Sequence, residues 1–119
     1  MYVCYVEEAG CTGMLPSTNS SIQPVFAIAG LILPRSQIRT VTRELIALKQ
    51  RFFPNGVPAG GYQHDWIGFE VKGSDIRRMA RSAARNDRRF AYSVVHEGLG
   101  ILERNRALVV GRIYVKPIG

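Results

Sequence analysis

The sequence predicts a mixed α/β domain. Segments with period-two or continuous apolar patterning stand at both ends of the chain, and apolar stripes of helical spacing fill the middle. The predicted order is strand, strand, helix, short strand, helix, helix, strand within 119 residues. That length holds one domain, able to bury roughly two-thirds of the surface its unfolded chain exposes. With 46% apolar residues spread along it, the chain is not of the disordered kind.

Residues 1–8 (MYVCYVEE) are aromatic and β-branched and predict a strand. Alternation places Val3, Tyr5 and Glu7 on one face and Cys4, Val6 and Glu8 on the other. A polar loop with Pro16 follows over 9–21. Residues 25–33 (VFAIAGLIL) are almost continuously apolar and predict a strand buried on both faces, stopped by Pro34. A Gly-containing loop between two such strands suits an antiparallel pair.

Over 36–52 the period becomes helical: Ile38, Val41, Leu45, Leu48 and Phe52 make one stripe, Ser36 is a suitable N-cap, and Pro54 lies past the end. The Gly- and Pro-rich stretch 55–65 is a loop, and 66–72 a short extended piece, with Trp66 and Phe69 expected in the core. Ser74 caps a helix over 75–86, with Asp75 near its positive end. A further helix covers 88–105 with Phe90, Val94, Leu99 and Leu102 as its apolar stripe, and 107–116 (ALVVGRIYVK) is the last strand.

Charge bears on partners. Sixteen basic against nine acidic residues give a net +7, and thirteen of the sixteen are Arg, whose planar fork of donors suits phosphate. Nucleic acid is therefore the expected partner, against the plainer reading of a basic protein with none. The longest apolar run, 25–33, is half the roughly 18 residues a membrane span needs, so no membrane partner is expected. No basic segment precedes an apolar one as in a secretory signal, which makes the cytoplasm the expected address. Cys4 and Cys11 are then expected as a reduced pair.

Two constellations could carry chemistry. Glu7 and Glu8 end a strand beside a Gly turn, a common place for a divalent cation; Mg²⁺ takes one or two carboxylates and otherwise keeps water or phosphate. The plainer alternative is a solvated strand end. The second is the run Arg77, Arg78, Arg81, Arg85, Arg88 and Arg89. Spacings of four would align Arg77, Arg81, Arg85 and Arg89 on one stripe of a continuous helix, where they could neutralise successive phosphates. No aromatic residue lies between Arg77 and Arg89 to stack bases, and only Asp75 and Asp87 are near enough in sequence to pair with them. The pair His64–Asp65 could add a ligand or base near Glu70. No zinc spacing, nucleophile elbow or phosphate-binding Gly loop occurs.

The opening YVCYVEEAGCTG, then QPVFAIAGLIL, then FEVKGSD, resembles the bacterial and phage family catalogued as domain of unknown function thirty-eight hundred. Its members begin with a strand ending in D-E-S-G-D-T-G, followed by an apolar strand and an E-x-K-G element. The resemblance implies a ribonuclease H-like mixed sheet with flanking helices and metal-dependent nuclease chemistry. By that likeness Glu7 and Glu70 would ligate Mg²⁺ or Mn²⁺, Glu8 would assist, and Lys72 would face a phosphate. Glu7 and Cys11 stand where the family has Asp, and a thiol is a poor Mg²⁺ ligand. The family's later acidic residue and C-terminal helix have no counterpart here, so the resemblance covers the N-terminal half of a member and implies an incomplete domain. The runner-up is a non-catalytic nucleic-acid- or protein-binding module; the third is a truncated product. Missing neighbours would leave the last strand's edge open and favour a homo-oligomer through it.

Overall fold

The computed structural model describes residues 1–119 and divides into two compact units, Met1–Arg35 with Arg106–Gly119, and Ser36–Asn105. The first is a three-stranded antiparallel sheet and the second is helical, so the mixed α/β expectation holds at that level.

In the strand unit, β1 (Tyr2–Ala9) and β2 (Val25–Pro34) pair antiparallel from Tyr2↔Pro34 to Ala9↔Ala27. β3 (Leu108–Val115) pairs with the other side of β2, from Val25↔Val115 to Ile32↔Leu108. The sheet order is therefore β1-β2-β3, with β2 central and all the helices lying between β2 and β3 in the sequence. Gly10 turns the chain after β1: its φ is +93°, and a Cβ there would sit 2.5 Å from the Val25 carbonyl oxygen, so only glycine fits. The loop after it is tied to the C-terminal tail, since the Leu15 N–H donates to the Pro117 carbonyl at 2.9 Å and the Gly119 N–H to the Leu15 carbonyl at 3.1 Å. Leu15 is buried there. β2 is not buried on both faces as expected: Ile28 and Ala29 are exposed. A central strand is screened by its neighbours only edgewise; its faces need a second layer.

The helical unit holds α1 (Ile38–Phe52), entered by a 3₁₀ turn over Arg35–Gln37, then α2 (Gln63–Gly68), α3 (Gly73–Ala80) and α4 (Arg85–Arg104). Ser36 lies inside the 3₁₀ turn and does not cap; the N-cap is Gln37, without a side-chain bond. Val41 is buried as the stripe predicts, but the other buried residue of α1 is Ile46, which packs with Val57, Trp66 and Phe69. A chain of aromatic contacts continues that core: Trp66 to Phe69 at 5.9 Å, Phe69 to Phe53 at 5.9 Å, Phe53 to Phe90 at 5.5 Å and Phe90 to Phe52 at 5.7 Å. Perpendicular or tilted rings at these separations are favourable arrangements.

Ser74 does not cap α3, which begins at Gly73 with Lys72 as its N-cap. Two further helical expectations need correction. The short strand over 66–72 is a helix, α2, that ends at Gly68 and continues as a loop. The cause is a cap: the Asp65 carboxylate accepts the Tyr62 N–H at 2.7 Å, and Lys49 reaches across from α1 to the far end of α2. α4 buries Ala91, Val94 and Ile101, while Leu99 of the predicted stripe is exposed. Packing against α1 selects that face: Arg104 and Asn105 both bond Glu44, at 3.0 and 3.2 Å, and Arg51 pairs with Glu97.

Candidate nucleic-acid interface

The six arginines fall on the α3–α4 hairpin, and the single stripe expected of them is not formed. α3 stops at Ala80, Arg81 has φ −101° and ψ 0°, and α4 starts only at Arg85. Ser82 causes the break. Its hydroxyl oxygen accepts the Ala84 N–H at 3.1 Å and donates to the Asp87 carboxylate at 2.7 Å, a local bond pattern that competes with helix. Two separate pairs remain, Arg77 with Arg81 at the end of α3 and Arg85 with Arg89 at the start of α4, the members of each four residues apart.

Their electrostatic states differ. Arg78 is paired with Asp75 at 2.9 Å across one helical turn. Arg88 folds back and donates to the Ser82 and Ala83 carbonyl oxygens at 2.8 and 2.7 Å, so its guanidinium holds the turn together. Arg77, Arg81, Arg85 and Arg89 have neither a carboxylate within salt-bridge distance nor a side-chain hydrogen bond, and all four are exposed. Ser74, Arg77, Arg78, Met79, Arg81, Ser82 and Asp87 line an open groove of about 600 Å³. A groove bordered by guanidinium groups and hydroxyls presents donors to an anion, with the Asp87 carboxylate, held by the Ser82 hydroxyl, on the same border.

The carboxylates expected to hold a metal divide between the two units. Glu7 and Glu8 lie in the strand unit, on opposite faces of β1, and the Glu7 carboxylate accepts the Glu8 N–H at 3.3 Å. Two side chains on opposite faces of a strand do not converge on one ion, so this donor pair does not fit a shared metal. Glu70 and Lys72 belong to the helical unit and line a second cavity of about 270 Å³ with Phe53, Phe69, Asp75, Ile76 and Met79. The sequence pattern alone does not single out Asp75 beside Glu70. No group of three or more His, Cys, Asp or Glu side chains is gathered into a ligand cluster. His64 stacks on Tyr62 at 5.6 Å and sits 3.3 Å from Asp65, whose other oxygen caps α2.

One polar contact had no signal in the sequence. Lys116, buried in the strand unit, donates to the Cys11 sulfur at 3.1 Å. That bond, then a backbone bond at Gly13, holds the Cys11 thiol below its ordinary pKa. Cys4 and Cys11 are both exposed and are not joined to one another.

These observations define the chain as a basic mixed α/β protein with an arginine-bordered helical hairpin and a separate three-stranded antiparallel sheet. No protein-family model matches it, and neither the curated proteins nor the solved structures contain a match. No helix is long and apolar enough to cross a membrane.

Proposed function

We propose that the protein binds the phosphate backbone of nucleic acid through the α3–α4 hairpin. The observation that carries this reading is the uncompensated set Arg77, Arg81, Arg85 and Arg89 around a turn that Arg88 and Ser82 hold in place. Exposed guanidinium groups without carboxylate partners release condensed counterions when they meet phosphates, and that release dominates sequence-independent affinity. Helices joined by a four-residue turn at 81–84 form a short hairpin, and the second helix carries Arg85 and Arg89 in its first turns. The arginines from 77 to 89 have no aromatic residue among them, which favours a duplex backbone over stacked single strands, although Tyr92 stands exposed one turn past Arg89 on α4. Replacing Arg77, Arg81, Arg85 and Arg89 together by Ala is expected to weaken duplex binding at least a hundredfold at moderate salt, at roughly 1 kcal/mol for each guanidinium–phosphate pair removed. Unchanged affinity in a titration would remove the proposal.

A second reading follows from the ribonuclease H-like resemblance and is favoured by one observation, the shared cavity of Glu70, Lys72 and Asp75. In that reading Glu70 and Asp75 are the carboxylates offered to a Mg²⁺ or Mn²⁺ ion, a number that suits Mg²⁺ when substrate phosphate completes the shell. Such an ion would supply Lewis-acid polarisation of a phosphoryl oxygen, and Lys72 would face the phosphate. Asp75 must then be released from, or shared with, Arg78. Cleavage of duplex or single-stranded substrate with Mn²⁺ that Glu70→Ala abolishes supports this reading; cleavage indifferent to the substitution rejects it.

A further inference from the structure

The face of the sheet that carries Cys4, Val6 and Glu8 is apolar, open and bordered by two opposite charges. The pairing register lays it out in rows across the strands: Cys4–Ile32–Leu108, Val6–Gly30–Val110 and Glu8–Ile28–Arg112, followed by Phe26–Tyr114. Val6 is 67% exposed, Leu108 56% and Val110 45%. Gly30 leaves a shallow trough between them, where Cys4 Sγ and the Val110 methyl stand 3.5 and 3.2 Å from the position a Cβ would take. Cys4, Val6, Ile28, Gly30, Val110, Arg112 and their neighbours enclose about 290 Å³ over it. Three strands spaced about 4.8 Å apart and seven residues long give a face of roughly 350 Å². That lies within the range of the largest apolar patch on an ordinary soluble monomer, a patch that is often functional.

Glu8 and Arg112 are the only charged residues in these rows, and they sit at opposite ends of the same row. The Glu8 carboxylate has no cationic partner, and Arg112 has no carboxylate, its guanidinium lying 5.2 Å over the Tyr114 ring. Like faces of two antiparallel sheets pack with strands nearly aligned, about 10 Å apart. A two-fold axis running along β2 between the sheets sets β1 of one copy over β3 of the other. It therefore brings Glu8 opposite Arg112 twice, by symmetry, and Val6 opposite Val110 twice.

We propose that this face is a homodimer interface, with a second copy of the chain as its occupant and two reciprocal Glu8–Arg112 pairs setting its register. The charges sit at the rim, where pairing fixes orientation, and the Val, Ile and Leu rows supply the buried centre.

The experiment is sedimentation of the full chain over a wide concentration range, with circular dichroism to confirm folding of each variant. Wild type is expected to dimerise. Glu8→Arg and Arg112→Glu, each alone, are expected to weaken self-association about tenfold or more, because each sets like charges face to face. Mixing the two single variants is expected to restore a dimer, since one then carries only positive and the other only negative charge on this face. The double variant Glu8→Arg with Arg112→Glu is expected to self-associate again. Val110→Glu is expected to abolish dimers in every background. A chain monomeric throughout overturns the proposal. So does a dimer indifferent to Arg112→Glu and Val110→Glu, which places the interface elsewhere, as at a strand edge.

Discussion

At the residue scale, the charges that matter are those the fold leaves without partners. Six arginines in thirteen residues look equivalent in sequence, yet Arg78 is spent on Asp75 and Arg88 on two turn carbonyls. Cys11 shows the same selection. The Lys116 ammonium stabilises its thiolate, so alkylation of Cys11 is expected to reach half its limiting rate at a lower pH than an ordinary thiol. Lys116→Met is expected to move that midpoint back up, as measured by mass spectrometry of alkylated peptides against pH. The sign for stability follows: the folded-state pKa is depressed, so the stabilising contribution is present above the ordinary thiol value and is lost as pH falls through the folded one. None of this was legible locally, because Cys11 and Lys116 meet only through the sheet and the loop that crosses its end.

At the scale of elements, periodicity found β1, β2, β3, α1 and α4 close to their observed bounds, since each has a sustained pattern. It failed where a long-range interaction decides. In the segment 66–72 the composition favours extended chain, but α2 forms because its last carbonyls have a donor waiting. Lys49 Nζ donates to the Trp66 and Phe69 carbonyl oxygens at 3.0 and 2.6 Å. Lys49 lies off the apolar stripe of α1 and reads as a solvated residue, so its anchoring role was hidden. Lys49→Met keeps the stem and removes the donor. It is expected to cost about 1.5–3 kcal/mol, the range for hydrogen bonds to a charged group, seen as a lower urea midpoint. The Arg stripe failed for the converse reason: Ser82 offers the backbone a turn, and helical spacing continues in the sequence where the helix itself does not.

At the scale of the whole molecule, exposed arginines without a carboxylate partner occur at Arg39, Arg43 and Arg106 as well as on the α3–α4 hairpin, where Arg77, Arg81, Arg85 and Arg89 fall close together in the chain. If four guanidinium groups each displace a counterion, log K against log salt falls with a slope of roughly −3.6 for duplex DNA. Each Arg→Ala among Arg77, Arg81, Arg85 and Arg89 is expected to flatten that slope by about 0.9, whereas Arg78→Ala is expected to change it less, as its charge is already paired. Affinity titrations over a range of salt concentrations check both. The opposite faces of Glu7 and Glu8 were legible in strand alternation, whereas Asp75 lines one cavity with Glu70 only through the turn from loop to α3.

The sequence by itself determined the balance of strands and helices, the arginine-rich segment and the glycine turn after β1, because local periodicity and backbone sterics act over a few residues. Only the tertiary structure decided that β3 lies beside β2, which arginines stay unpaired, what holds α2, and that Glu8 and Arg112 border one apolar face. Those depend on groups brought together from distant parts of the chain, and the energy of an interaction is set by distance in space rather than along the sequence.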